Sequence, residues 1–310
     1  MAGLGNSNHI TVETQDVFIP ELWSDDVIAA YKKNLVLGNF VTKINHTGKK
    51  GDTIHIPIPT RGSASEKVKN TQVNLISNVE TKKTVNITEH YEYSRMIEDI
   101  VGVQAIDSYR SFYTDDAGYA LATLVDDSLF AQAESLQGGT IGGTGTDLWE
   151  AAVIGTDGST LYTGDVSNSG ALTDIGIRRM IQTLDDADVP QTDRTLIIPP
   201  VERNTLMGLP RFTEQAFVGE VGAGNTIRNG VIGDIYGISV VVSSNCPTIN
   251  TSDRVGLMLH KDALVFIEQM GVRSQTQYKQ EYLGDLFTAD TIFGVGELRT
   301  NAGVAFIVDA

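Results

Sequence analysis

The sequence predicts an α+β fold organised around one long helix. A helical period of apolar residues runs from about 107 to 136 without a proline. Strict alternation of apolar and polar residues at 53–59 and 83–88 predicts two β arms. Further along, helical segments alternate with short apolar runs, which indicates a compact α/β block. Separate β and α/β regions beside a long helix place the chain in the α+β class.

The N-terminal stretch predicts an extended arm followed by a short helix. Residues 1 to about 20 are polar and have no period. Pro20 stands at a favourable helix start, and the residues after it recur at helical spacing. The apolar face of this predicted helix comprises Leu22, Trp23, Val27, Ala30 and Tyr31.

Residues 43–90 predict a long two-stranded excursion with a polar tip. An isolated two-stranded ribbon is marginally stable in water, so we expect another surface to hold it. Between residues 43 and 83, eight basic residues less three acidic ones give a net charge of +5, which leaves −21 for the rest of a chain whose total is −16. The basic residues are Lys43, Lys49, Lys50, Arg61, Lys67, Lys69, Lys82 and Lys83.

The long helix at 107–136 combines an apolar stripe with an acidic face. At about 1.5 Å per residue it would be roughly 45 Å long. The predicted stripe comprises Tyr109, Tyr113, Ala117, Ala120, Leu121, Leu124 and Ala131. The other face carries Asp107, Asp115, Asp116, Asp126, Asp127 and Glu134 against the single base Arg110.

Two interpretations of this acidic face remain open. It could be a solvated surface, or it could complement the basic excursion of a neighbouring copy of the chain. We favour the second interpretation slightly. The candidate contact residues are Lys49, Lys50, Arg61, Lys67 and Lys69 on the excursion, and Asp115, Asp116, Asp126 and Asp127 on the helix.

The second half of the chain predicts an α/β block after a glycine-rich loop at 138–145. Two helices and four buried strands are expected, with Thr173 as a helix cap and Pro199 as a strand stop. The helices are at 171–184 and 201–207, and the strands at 194–198, 237–243, 256–259 and 263–267. Residues 269–283 are more polar, and 291–299 with 304–308 predict a closing hairpin.

Composition excludes several classes of function. A net charge of −16 argues against broad contact with nucleic-acid backbones. The N-terminus has no signal-peptide pattern and no stretch approaches 18 apolar residues, so we expect a soluble protein made in a cytosol, without a membrane segment. With Cys246 as the single cysteine, no internal disulfide can form.

No motif for catalysis or cofactor binding is complete. The glycine run at 138–145 lacks the Lys-Ser/Thr pair of a phosphate loop, and no Gly-x-Ser-x-Gly elbow is present. The five histidines show no pair at i, i+4 and no partner cysteine, which argues against zinc. Cys246 is interpreted as a small buried residue. We therefore expect no catalytic residue, cofactor or metal.

The order of these parts resembles the major capsid protein of tailed bacteriophages, with the HK97-type fold. The resemblance covers nearly the whole chain, and its ordered set of stretches is more specific than any single motif. The stretches are FIPELWS at 18–24, GKKGDTIHIP at 48–57, RTLIIPP at 194–200, GDIYGISV at 233–240 and the C-terminal residues 292–308.

The resemblance implies an HK97-like capsid fold with five parts. These are an N-terminal arm and short helix (1–42), an extended β loop (43–90), a peripheral domain with a spine helix (91–145), an axial domain (146–270) and closing strands that return to both domains (271–310). The extended loop is expected to lie across the peripheral domain of an adjacent subunit. Lys67 and Lys69 lie near the loop tip and are expected to take part in that contact.

The same resemblance implies the assembly and its partners. Hexamers and pentamers of the chain would form an icosahedral virion shell around double-stranded DNA, without sequence-specific contacts to it. A separate scaffolding protein and a portal are expected, a decoration protein is possible, and assembly would occur in the host bacterial cytoplasm. Three alternatives remain at this point: an encapsulin-type nanocompartment shell, a monomeric α/β enzyme and, disfavoured by the missing signal peptide, a surface adhesin.

Overall fold

A computed structural model describes most of the chain in eleven ranges. They are residues 36–48, 50–58, 62–73, 75, 80–100, 109–136, 149, 152–164, 169–209, 233–249 and 252–309. The predicted short helix after Pro20 and the glycine run at 138–145 lie outside the described residues. Strands β1–β13 and helices α1–α3 are numbered below in chain order.

One sheet joins residues from both ends of the sequence. Its central hairpin, β11 and β12, pairs antiparallel over most of its length, with β-bulges between Glu268 and Arg273. β1 runs parallel to β11, and β4 runs antiparallel to β12. In sheet order the four strands are β1 (Thr42–Asn45), β11 (Leu264–Lys279), β12 (Gly284–Glu297) and β4 (Glu89–Glu98).

The predicted long helix is present and packs on this sheet. It is α1 (Tyr109–Gln132), 24 residues and therefore about 36 Å long, and a short 3₁₀ turn at Ala133–Ser135 continues it. Ala117 and Leu121 pack on Ala289 of β12. We call α1 the spine helix.

The buried face of the spine helix differs from the predicted stripe in its second half. Leu129 and Phe130 are fully buried, whereas the predicted stripe residue Ala131 is exposed. The reason is a change of partner along the helix. Its first half faces the four-stranded sheet, and Leu129 and Phe130 enter the core shared with the second sheet. A stripe with one helical period predicts a single buried face. It therefore cannot predict a buried face that changes direction along the helix.

The second sheet forms the middle of a three-layer block. Its inward residues alternate between two cores, as Leu257 faces one layer and Met258 the other. In sheet order the described strands are β5 (Val153–Ile154), β13 (Gly303–Val308), β10 (Asp253–His260), β6 (Arg194–Ile198), β8 (Ile238–Val242) and β7 (Asp234–Ile235), with β9 (Thr248–Ile249) on β10.

Two helices cover one face of this sheet close to their predicted positions. They are α2 (Asp174–Asp186) and α3 (Pro200–Met207). Thr173 caps α2, since its hydroxyl accepts the backbone N–H of Gly176 at 3.1 Å. Ile177 and Met180 are buried against the sheet. The predicted α+β class is confirmed.

The predicted closing hairpin is wrong. β12 pairs with β11 and β4, whereas β13 pairs with β10 and β5 in the other sheet. The short 3₁₀ turn Thr300–Ala302 therefore connects two sheets. The predicted turn is present. Each strand beside it pairs with two strands of its own sheet, whereas in an isolated hairpin it would pair with only one.

Candidate assembly surface

The two predicted β arms pair with each other and form the ribbon of the extended loop, which is defined as above by residues 43–90. β2 (Thr53–Ile58) runs antiparallel to β3 (Thr81–Asn86), with Thr53 opposite Asn86. Along the chain, residues 59–80 come between the two strands, and the structure describes 62–73, 75 and 80 of them.

The base of the extended loop is anchored to its own chain. Val85 and Ile87 are buried against Val265 and Ile267, on the face of the four-stranded sheet opposite the spine helix. The backbone N–H of Ile87 also donates to the carbonyl of Asp52 at 2.7 Å. The apolar residues of the predicted alternation therefore lie on the side of the chain that covers the sheet.

Two glycines of β12 make this close packing possible. A Cβ at Gly294 would lie 2.6 Å from the carbonyl oxygen of Asn86, and one at Gly296 would lie 2.9 Å from the Val85 side chain. Real Cβ atoms do not approach this closely, so a side chain at either position would push the loop base off the sheet.

The tip of the extended loop is uncovered. Every described residue in the ranges 62–73 and 75 is exposed, and none of them is in a helix or strand. Three of them are large and apolar: Val68 is 62% exposed, Val73 60% and Leu75 88%. The tip thus presents apolar surface that its own chain leaves in water, which is a feature of interaction sites.

The predicted basic residues that the structure describes lie on this exposed surface. Lys67 and Lys69 are exposed at the tip, and Lys50 is exposed near the base. The ammonium group of Lys67 donates to the carbonyl of Val68 at 2.5 Å, within a turn that the Thr71 hydroxyl closes on the same carbonyl at 2.8 Å. Lys49 and Arg61 lie outside the described residues.

Another basic residue of the excursion, Lys83, is partly exposed and lies beside an acidic residue of its own chain. Its ammonium group lies 3.5 Å from Glu297, which also accepts the Ser135 hydroxyl at 2.7 Å. Glu297 thereby connects the loop base to the end of the spine helix. Lys83 serves the anchor rather than the exposed surface.

The acidic residues of the spine helix differ in how far they are exposed. Asp115 and Asp127 are exposed, and Asp116 is half-buried. The Tyr93 hydroxyl donates to Asp116 at 2.9 Å, and the Arg95 guanidinium donates to the same hydroxyl at 2.6 Å. Arg95 therefore lies beside this part of the acidic face, which the sequence pattern of the helix alone did not reveal.

Asp126 does not belong to an exposed face, contrary to the prediction. Its side chain is 3% exposed, and it accepts the backbone N–H of Gly38 at 3.3 Å. Asn245 donates its amide to Asp126 at 3.5 Å and to the neighbouring Asp127 at 2.8 Å. The helix turns this carboxylate inward because its buried face rotates toward the second sheet.

Burial governs the charge of this carboxylate. Desolvation raises the pKa of Asp126 above its ordinary value, while the N–H donors of Gly38 and Asn245 oppose part of the rise. The group joins the spine helix to the turn before β1 and to the β8–β9 loop. It acts within the subunit, at the junction of the two sheets.

The described residues contain no arrangement suited to metal or thiol chemistry. No group of three His, Cys, Asp or Glu side chains among them could hold a metal ion. Burial raises the pKa of the Cys246 thiol to about 12, so the thiolate is negligible at neutral pH. Within the same part of the chain, no helix is both long and apolar enough to cross a membrane.

An anchored ribbon whose described tip residues are exposed and partly apolar is a feature of proteins that bind other molecules through that surface. Comparison with known families gives the particular class. Residues 101–309 match the family model described as phage capsid protein. The chain belongs to this phage capsid protein family and is a structural major capsid protein.

Solved structures show the same fold over nearly the whole chain. A Mycobacterium phage Che8 structure is 22% identical, with a TM-score of 0.70, covering 93% of this chain and 97% of that one. The capsid structure of Cyanophage P-SCSP1u is 19% identical, with a TM-score of 0.75 and coverage of 99% and 97%. The Cyanophage Pam1 capsid is 10% identical, with a TM-score of 0.68 and coverage of 100% and 99%.

These likenesses confirm the predicted HK97-like capsid fold. No curated protein sequence gives a significant match. The encapsulin and enzyme alternatives are not favoured, since the family assignment accounts for both the fold and the described surface.

Proposed function

We propose that the extended loop of each subunit lies on the spine-helix side of an adjacent subunit in a virion shell. The observation that carries the proposal is the contrast between the buried base and the uncovered tip of the loop. Val85 and Ile87 fix the direction of the ribbon, whereas Val68, Val73 and Leu75 lack cover within their own chain.

Apolar burial supplies more of this contact than charge does. Covering an apolar side chain such as Leu75 contributes about 1.5–3 kcal/mol. An exposed ion pair contributes about 0–1 kcal/mol and is screened by salt. The charges of Lys50, Lys67 and Lys69 orient the loop and speed its encounter with the acidic helix. Because each shell contains many copies of the contact, their contributions add to the strength of the shell.

The acidic partners in the proposal are Asp115, Asp116 and Asp127 on the neighbouring spine helix. Asp126 is left out because its carboxylate is buried in its own subunit. Lys49 and Arg61 remain predicted contacts of the same loop. The division into arm, extended loop, peripheral domain, axial domain and closing strands, at the boundaries given above, remains our proposal for how the subunit is organised.

The proposed assembly is an icosahedral shell of hexamers and pentamers that encloses double-stranded DNA and has no enzymatic activity. The net charge of −16 supports this role, because an acidic container does not trap its genome by phosphate contacts. A separate scaffolding protein, a portal and a decoration protein are the proposed partners, and assembly takes place in the host bacterial cytoplasm.

Charge reversal at the loop tip tests the contact. The double variant Lys67→Glu/Lys69→Glu should fold as the parent chain does but give fewer shells, measured by sedimentation and electron microscopy. As matched single changes on the same loop, Lys69→Glu should lower the yield of particles and Lys82→Glu, on the ribbon away from the tip, should not. Leu75→Ser should lower the yield further. Normal particles from both the double variant and Leu75→Ser would refute the proposed contact.

A further inference from the structure

A groove of about 280 Å³ lies between the spine helix and the four-stranded sheet. Gly118, Leu121 and Val125 form its helix wall, and Phe266 and Val272 of β11 form part of the opposite wall. Most of this lining is apolar. The groove is therefore a second surface that the described chain leaves without an apolar partner.

The groove is open and has room for inserted side chains. Val272 is 60% exposed, and a Cβ built at Gly118 would meet no atom within 4 Å. Ala122, on the same helix wall, is also exposed. A small residue in the middle of the spine helix thus widens the groove where a larger one would fill it.

The chain itself enters the described region at one end of this groove. Gly38 and Asn39 line it, and the Gly38 N–H is held by Asp126. Thirty-five residues precede the first described residue, Val36. The described part of the chain therefore begins two residues before the groove lining.

The preceding sequence has the chemistry to fill the groove. Leu22, Trp23 and Val27 belong to the apolar face of the amphipathic segment 20–31. Six residues lie between Tyr31 and Gly38. The seven Cα–Cα steps between them reach at most about 25 Å. Lys32 and Lys33 follow the segment directly, and an acidic side chain, Glu268, lies in the groove lining.

We propose that residues 20–31 dock their apolar face into the groove of the same chain. A short tether gives the segment an effective concentration in the millimolar range, above that of a free partner. Burying Trp23 between helix and sheet removes a large apolar side chain from water. The docked segment extends the subunit core, and this contact does not rest on the proposed loop contact between neighbours.

Crosslinking of the full-length chain tests the proposal. Val27→Cys combined with Ala122→Cys should give an intramolecular link with a short bis-maleimide, detected by peptide mass spectrometry, and no band of twice the mass on a denaturing gel. The native Cys246 is buried and does not compete. In the matched control, Val27→Cys with Ile175→Cys, which is exposed on α2, no link should form.

A second experiment tests the proposal by filling the groove. Adding Gly118→Phe to the crosslinking pair should reduce the link severalfold, whereas Gly118→Ala should leave it intact; unfolding curves confirm that both variants are folded. A linked dimer would assign the groove to another copy and overturn the proposal. Absence of the link, an equal link at residue 175, or no effect of Gly118→Phe would overturn it as well.

Discussion

Replacing Gly294 with alanine tests how the base of the extended loop is held. The new Cβ would lie 2.6 Å from the Asn86 carbonyl oxygen and 3.1 Å from the Ile87 Cα, both of them backbone atoms that cannot rotate away. If the loop base shifts slightly, the cost is that of overpacking, about 1–3 kcal/mol. If it detaches, Val85 and Ile87 lose burial worth about 1.5–3 kcal/mol each.

Urea unfolding of the unassembled chain measures this change. We expect Gly294→Ala to lower the unfolding midpoint and to increase protease cleavage within the extended loop. Gly118→Ala is the control: its Cβ meets no atom within 4 Å, and alanine favours the helix by about 1 kcal/mol. A Gly294→Ala chain as stable and as protease-resistant as the parent would refute the close packing of loop and sheet.

Three further predictions concern buried side chains. In the folded chain burial raises the pKa of Asp126, so stability should fall as pH rises from the ordinary carboxyl pKa through the raised one, and Asp126→Asn should weaken this dependence in urea titrations. Asp126→Ala should cost about 1–3 kcal/mol, because the N–H of Gly38 loses its acceptor, while the Asn245 amide keeps its bond to Asp127. Glu202 is fully buried, its Oε1 has no hydrogen-bond partner among the described residues, and burial raises its pKa. Glu202→Gln should therefore stabilise the chain more at neutral pH than in mild acid, and an equal effect at both would contradict this. The Cys246 thiol should react with a thiol reagent only on unfolding, and rapid reaction of the folded chain would show that it is accessible.

Local signals in the sequence predicted much of the second half of the fold. Thr173 lies before a helix with buried Ile177 and Met180, and the structure shows this cap and this face. The strand at Arg194–Ile198 ends at Pro199, as expected of a residue without an N–H. In these cases the information lies within a few neighbouring residues.

Long-range partners account for what the sequence could not predict. The C-terminal turn resembled a hairpin, but its strands belong to two sheets whose other members are distant in sequence. Asp126 followed the acidic pattern of its helix, yet Gly38 and Asn245, 88 and 119 positions away, hold it in the interior. Neither partner has a local signal near Asp126 in the chain.

The candidate surface was predictable in charge but not in its apolar part. The basic balance of the excursion identified Lys67 and Lys69, which are exposed. Val68, Val73 and Leu75 were missed because a polar tip was expected, although apolar residues within a polar stretch are themselves a signal. Their exposure depends on the direction in which the ribbon leaves the sheet. The contacts of Val85, at the base of the loop, set this direction.

An electron cryo-microscopy reconstruction of the assembled particle tests the central claim most directly. The account predicts that Leu75 is covered by the neighbouring subunit and that Lys67 or Lys69 lies within about 4 Å of a carboxylate on that subunit's spine helix. A loop tip that folds back on its own chain, or that remains in solvent while Asp115 and Asp127 face other groups, would contradict it.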